Sequence, residues 1–246
     1  MATVIQDSGK QTTGPFATTT LSFATLPVVG RHVAVLISNY DGVGNGIAAV
    51  TDNQGNTYTK QAEATDGATC CASLWTCEVV TSSGTFTVTL DPVTSSGNFA
   101  SWVLVEISGL NLSPVLDKTG TNNSTTGDAN ATCSAANDAA SGIALGVAAV
   151  NNAVNDINIS DTPPTGSTQI AFEENANIAI GMSSVYKAVT GGTTSFAWTH
   201  DNVSQVGWAA VAVTLRDLVA AGGGNIGALM GRAAGRRTAA LMQFAR

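Results

Sequence analysis

Charge is scarce in this chain of 246 residues: Asp, Glu, Lys and Arg together make 11%, against roughly a quarter in an average soluble protein. That scarcity excludes a solvated disordered tail or a charged coiled coil. With 44% apolar residues the chain can bury a sizeable core, enough for one large domain or two small ones. The four cysteines, Cys70, Cys71, Cys77 and Cys133, are too few for a disulfide framework at this size and read as small core residues with free thiols. Histidine occurs only at His32 and His200, in neither a Ser/His/Asp, HExxH nor zinc spacing, and both read as structural. No run approaches the ~20 apolar residues that cross a bilayer as a helix, so no membrane partner is expected. The opening Met1-Ala-Thr-Val-Ile-Gln-Asp7 lacks the basic region and apolar run of a secretory signal, and the chain reads as one made and folded in a cytoplasm.

The net charge of −7 is unevenly spread. All 17 acidic residues precede residue 219, with Lys10, Arg31, Lys60, Lys118, Lys187 and Arg216 among them. Residues 219–246 hold Arg232, Arg236, Arg237 and Arg246 and no acid. An acidic body would be repelled by phosphates, so direct nucleic-acid binding is not expected.

Apolar and polar residues alternate through the body, as in Gly84-Thr-Phe-Thr-Val-Thr-Leu90, a period that a half-buried strand requires and a helix cannot use. Similar runs recur from Leu21 to Phe23, Val33 to Ile37, Ala72 to Val80, Phe99 to Ile107, Ile143 to Val150, Ile178 to Tyr186, Phe196 to Thr199 and Trp208 to Leu215. Turn clusters such as Asp41-Gly-Val-Gly-Asn45, Asp52-Asn-Gln-Gly-Asn56 and Pro163-Pro-Thr-Gly166 separate them. Many short, punctuated strands predict an all-β sandwich or barrel.

The body also resembles itself. Val33–Ile37 matches Ile143–Val147, Ser73–Cys77 matches Ser184–Ala188, Thr85–Val88 matches Ser195–Trp198, and Val103–Leu110 matches Val211–Leu218, in order and at an offset of about 110 residues. This predicts two copies of one seven-strand unit, residues 1–110 and 112–218. The copies could form separate small sandwiches or interleave into one jelly-roll-like β-sandwich. The connection Gly109-Leu-Asn-Leu-Ser-Pro-Val115 is short and partly apolar, unlike a flexible linker, which favours one domain over 1–218.

Residues 219–246 differ in character. Val219-Ala-Ala-Gly-Gly-Gly224 reads as a hinge, and Ile226, Leu229, Met230, Leu241 and Phe244 then fall near helical spacing with Arg232, Arg236 and Arg237 between them. The pattern predicts a short amphipathic helical tail. Gly227, Gly231 and Gly235 each cost about 1 kcal/mol of helix propensity, so the segment needs a surface to fold on, its own body's or a partner's.

The passage Thr51-Asp-Asn-Gln-Gly-Asn-Thr-Tyr58, followed by Ala72-Ser-Leu-Trp75 and Val105-Glu-Ile-Ser-Gly-Leu110, resembles β-sandwich domains of bacterial surface proteins and bacteriophage structural proteins. Pro114-Val-Leu-Asp117 through Trp208-Ala-Ala-Val-Ala-Val213 resembles the portion that follows in those domains. The resemblance spans nearly all of 1–218 and implies a fold more than a function, because the matching positions are strand cores and turns.

The sequence offers little chemistry. No nucleophile elbow, phosphate loop or dinucleotide fingerprint is present. Cys71 and Cys77 share a strand face while Cys70 points the other way, which argues for packing over zinc, and no metal site is expected. A pair of facing carboxylates would be needed for glycoside hydrolysis. The candidates are Asp52, Glu63, Glu78 and Glu106 with Glu173, Glu174 and Asp201. Glu106, inside an apolar strand with Trp102 and Leu104 as alternation mates, reads as an ion-pairing or edge-blocking group, so an enzyme is not expected. The loops at Asp41–Asn45 and Asp52–Asn56 offer oxygen ligands that calcium accepts, but the same residues make tight turns, so calcium is the one candidate cofactor and turns are the favoured reading. Of the aromatic rings, Trp102 and Trp198 lack a repeat counterpart and are the candidate platform for stacking a sugar.

Two functions follow as expectations. One is a virion structural protein, such as a bacteriophage capsid decoration or head or tail appendage protein. It would be made in the host cytoplasm, be repeated as copies in an oligomer, and dock on other virion proteins through Ile226, Leu229, Met230, Arg232, Arg236, Arg237, Leu241 and Phe244. The alternative is a carbohydrate-binding or adhesion module that takes a host-surface glycan on Trp102 and Trp198.

Overall fold

The computed structural model describes residues 1–40, 46–93, 98–111, 115–125, 130–139, 141–151, 162–175, 180–199 and 207–218. The expected C-terminal helix, with Ile226, Leu229, Met230, Arg232, Arg236, Arg237, Leu241 and Phe244, lies outside them.

Every regular element among the described residues is a strand. In the first half these are β1 (Thr3–Asp7), β2 (Gln11–Thr13), β3 (Thr19–Ser22), β4 (His32–Tyr40), β5 (Ile47–Asp52), β6 (Thr59–Thr65), β7 (Cys70–Glu78), β8 (Thr87–Pro92) and β9 (Phe99–Ser108). The second half holds β10 (Leu116–Ser124), β11 (Asn130–Asn137), β12 (Gly142–Asn151), β13 (Thr168–Asn175), β14 (Ile180–Val189), β15 (Gly192–Thr199) and β16 (Trp208–Arg216). All named pairs are antiparallel. β1 and β2 both lie on β9 and amount to one edge strand interrupted at Ser8-Gly-Lys10. There the Ser8 hydroxyl accepts the Leu104 N–H and the Ser8 N–H donates to the Leu104 carbonyl, which keeps the backbone groups satisfied across the break.

The halves share one topology. The large sheet of the first half runs β1-β9-β4-β7-β6 and that of the second β10-β16-β12-β14-β13, strand for strand in the same order. A small sheet covers the outer face of each: β3-β8-β5 in the first half and β11-β15 in the second. Strand pairing stays within each half, apart from the isolated Leu110–Asp217 bridge. The interleaved arrangement expected from the short connection is therefore not how the halves join. Each half has strands enough to make its own two-sheet sandwich, and the large sheets then stack face to face.

Side-chain alternation explains the stacking. Ala34, Leu36, Ala72, Leu74, Val103, Val105 and Ile107 on one large sheet meet Ile143, Leu145, Val147, Met182, Val211, Val213 and Leu215 on the other in a continuous core. The opposite parity in the first half, Val33, Val35, Ile37, Trp75, Cys77, Trp102 and Leu104, packs on Phe86, Val88 and Leu90 of the small sheet. In the second half Ala144, Ala148, Val185, Ala210 and Ala212 pack on Phe196 and Trp198. The layers thus run small, large, large, small, and a large-sheet strand such as β4, β9, β12 or β16 is buried at nearly every position because both its faces are covered.

Facing strands follow an approximate twofold axis. β4 lies against β12, β7 against β16 and β9 against β14. β4 and β12 run the same way: the buried Ser38 hydroxyl, near the end of β4, donates to the Gly181 carbonyl, and Gly181 pairs with Val150 near the end of β12. The axis therefore lies along the strands and brings equivalent loops of both halves to the same end of the molecule.

That packing tolerates little at two glycines. A Cβ on Gly146 would stand 2.7 Å from the Phe196 ring, so β12 is bare where the small sheet presses its aromatic side chain inward. A Cβ on Gly207 would stand 2.0 Å from Asp66 Oδ2, where the β6–β7 turn of the first half abuts the start of β16. Asn151 reinforces this junction by donating its side-chain amide to the Thr69 hydroxyl at 3.0 Å.

Candidate attachment surface

The structure first removes one candidate site. Trp102 and Trp198 are both 0% exposed, so neither can serve as a glycan platform. Their lack of repeat counterparts has a packing cause. Trp102 stands where the second half has Ala210, and Trp198 where the first half has Val88, so an indole contributed by the large sheet in one half is contributed by the small sheet in the other. The Trp198 indole N–H donates to the Ser183 hydroxyl at 3.1 Å, which binds it further into that core.

The carboxylates are also accounted for locally. Asp52 accepts the N–H groups of Gln54 and Asn56, the Asn56 side-chain amide and the Tyr58 hydroxyl, at 2.8 to 3.1 Å. Its oxygens hold the turn together, as the turn reading expects; Asp41–Asn45 lies outside the described residues. Buried Asp66 accepts the backbone N–H groups of Ala68, Thr69 and Cys70 and the Thr69 hydroxyl. Burial alone would raise its pKa, but these hydrogen bonds outweigh burial and hold it below the usual carboxylate value. Buried Asp117 takes two contacts from the Arg216 guanidinium, at 3.2 and 3.0 Å, and caps the N–H groups of Asp138 and Ala139. Glu173 pairs with Lys10 across the two halves at 2.9 Å, and Glu63 pairs with Lys60 at 2.6 Å. The Glu174 side chain, His200 and Asp201 lie outside what is described. Among the described residues no three His, Cys, Asp or Glu side chains gather as a metal site.

Cys70 belongs to the core between the large sheets and Cys77 to the outer core, so the two do not converge. Burial pushes the Cys77 thiol up to about 12 and the Cys70 thiol well above its ordinary value. His32, also buried, is held below the ordinary histidine value by desolvation, against the opposing pull of Glu78 across the β4–β7 pair.

The end of the body where β9 and β16 finish is built differently from the rest. Glu106, 1% exposed on β9, accepts the Arg31 guanidinium at 3.1 Å, the Gln6 side-chain amide at 2.6 Å and the Val28 backbone N–H at 2.8 Å. The ion-pair reading of this residue is what the geometry displays, and it ties down the segment between β3 and β4. A second tie comes from the segment after β7: the Gly30 N–H donates to the Val79 carbonyl at 2.9 Å and the Val79 N–H to the Arg31 carbonyl at 2.8 Å. Pro27 is buried under this knot while Leu26, Val28, Val29 and Val80 are exposed. Sequence reasoning missed these four: Val80 reads as the end of the Ala72–Val80 strand run, and the one signal in Leu26-Pro-Val-Val29 is an apolar run without alternation beside Gly30.

The chain leaves the described body at this same end. Asp217 accepts the Ala2 N–H and lies 3.8 Å from the Met1 ammonium, and the Leu218 N–H donates to the Gly109 carbonyl at 2.7 Å. Residues 219–246 are thus tethered at a fixed point beside the N-terminus and the β9 end. The eight residues expected to dock lie outside the described residues.

No family model matches the chain, and no curated protein matches it. Among solved structures, the mavirus major capsid protein aligns over 88% of this chain and 87% of that chain at 6% identity and a TM-score of 0.20, a level at which the likeness carries no argument.

Proposed function

We propose that this chain is a non-enzymatic structural protein of a virion, a bacteriophage capsid decoration or head or tail appendage protein, held on its particle by residues 219–246. The observation that carries the reading is the tether. The last described residues are locked into backbone and ion-pair contacts at one end of a stacked β body, so the arginine-bearing segment departs from a fixed point. Strand order supports the same class. If β1 and β2 count as one strand, the large sheet of the first half holds its first, eighth, third and sixth strands and the small sheet its second, seventh and fourth. That is the order of a jelly roll whose fifth strand, β6, has moved to the edge of the large sheet. The charge contrast between body and tail suits docking on a larger acidic assembly, where repeated copies turn weak grips into firm attachment. The glycan alternative has lost the two rings on which it stood.

Co-sedimentation tests the reading. Full-length protein and a 1–218 version, both checked for β circular dichroism, are mixed with particles assembled without this protein. The full chain is expected in the pellet and the shortened one in the supernatant. Equal retention of both, or of neither, refutes attachment through the tail.

A further inference from the structure

The two halves are near copies, so a feature carried by only one of them is not demanded by the fold. At the end where the chain departs, the second half is spare: β11 and β12 are joined by residues 138–141, and β14 and β15 by Thr190-Gly191 alone. The first half has residues 23–31 and 79–86 at the equivalent places, each several residues longer. These two longer segments hydrogen-bond to one another, and the first of them is pinned by Glu106 through Val28 and Arg31. Together they hold Leu26, Val28, Val29 and Val80 in solvent at 42%, 49%, 57% and 60% exposure. Four exposed aliphatic side chains on two segments that brace one another, termed the ridge, are a feature that stability does not explain.

Its position says what it faces. Gly109, which holds Leu218, follows Glu106 by three strand residues, about 10 Å at the rise of an extended chain. Val80 follows the end of β7, two strand spacings from β9, again about 10 Å. The ridge therefore stands beside the exit of a 28-residue segment that has four arginines and no acid. Resting on the virion reading, we propose that Leu26, Val28, Val29 and Val80 are a second contact with the same partner, a shell or tail subunit offering an apolar surface flanked by carboxylates. The carboxylates complement the arginines of 219–246, and the apolar surface receives the ridge.

Full-length Val29→Asp and Val80→Asp, on the two separate segments, test this in the co-sedimentation assay. Val93→Asp is the control, since Val93 is equally exposed at the opposite end, bonded to Gly46 beyond the end of β8. Val29→Ser replaces any aspartate variant that fails to fold. Retention is expected to fall at least about tenfold for the ridge variants, as for the loss of a buried interface anchor, and to stay within twofold for Val93→Asp. Ridge variants that pellet like the parent while the 1–218 version does not would overturn the ridge and leave the tail reading standing. If neither the ridge variants nor the deletion changes retention, both fall. An equal loss in Val93→Asp also overturns it. Two results would give the ridge another occupant and overturn the assignment: a free dimer in sedimentation velocity that Val29→Asp dissolves, pointing to a second copy, or a gain in apolar-dye binding on deleting 219–246, pointing to the chain's own tail.

Discussion

Arg31→Met is the perturbation that most directly probes how the attachment end is held. The substitution keeps most of the stem volume and removes the guanidinium from Glu106, whose carboxylate is 1% exposed. Stripping the partner from a buried ion pair costs about 3–5 kcal/mol when both charges are fully enclosed. Here the Arg31 side chain is 32% exposed and so partly solvated, and Glu106 keeps the Gln6 amide and the Val28 N–H. The expected cost is therefore about 2 kcal/mol. Glu106→Gln preserves shape and leaves the guanidinium free to reach water, and it should cost about 1 kcal/mol. The double variant should cost less than the two singles added, with a coupling of about 1 kcal/mol, because once one charge is gone the other no longer has its partner to lose. Urea unfolding with unchanged slope reads the energies, and amide exchange at Val28 reads the local effect. Strict additivity, or an Arg31→Met cost below about 0.5 kcal/mol, would show that the pair does not brace the ridge and would refute this account.

Other consequences can be checked on the same protein. Gly207→Ala should destabilise by about 1–3 kcal/mol, because its Cβ would meet a carboxylate already held by the Asp66 turn; Gly181→Ala, whose Cβ finds nothing closer than 3.6 Å, should stay within about 1 kcal/mol in the same urea melts. Cys70, Cys71 and Cys77 should resist alkylation at pH 8 and become labelled only with global unfolding, followed by mass mapping, since all three are buried and the Cys70 and Cys77 thiolates are disfavoured. Acid should weaken the fold in two windows. His32 is held below its ordinary value, so the unfolded chain binds its proton first and stability declines as pH falls below ~6.5; Asp66 is held below the carboxylate range, so its contribution is present above ~3.9 and is lost as pH falls through the folded value. His32→Phe should flatten the first window and Asp66→Asn the second.

Much of the architecture was legible because alternation and repetition are both strong signals. The strand at Thr87–Pro92 alternates cleanly, and it lies in a small sheet with one face on the core. The runs in β4, β9, β12 and β16 carried a second message, since continuous apolar character marks a sheet covered on both sides. The repeat was legible in order but not everywhere in register. Val103 and Val211 both face the core between the large sheets, and Phe86 and Phe196 both face the outer cores, as matched. Val33 and Ile143, however, face opposite ways, as do Trp75 and Tyr186. A slip of one residue in aligning two strands exchanges their faces, and in strands covered on both sides no exposed face is left to correct it. Trp102 and Trp198 misled for a related reason. An unmatched aromatic side chain looks like an added function, yet the volume was redistributed between layers, which pairwise matching of positions cannot reveal. Glu106 was readable as an ion-pairing group, whereas Arg31 as its partner was not, because that contact joins residues 75 apart in sequence.

The near symmetry also bears on how such a body could be oriented on a particle. A twofold axis along the strands places equivalent loops at both sides of one end, so a contact made by a feature common to both halves would be satisfied equally well in two orientations half a turn apart. The ridge comes only from the first half and the tether only from β16 of the second. Two unlike contacts at separate points on one end remove that ambiguity, because a half-turn about the axis would carry the ridge onto the spare loops of the second half. Each contact can be weak, provided the short span between them keeps the second at high effective concentration once the first has formed. The tether without the ridge would leave the body free to swivel, which is why loss of the ridge is expected to lower retention even with the arginine segment intact.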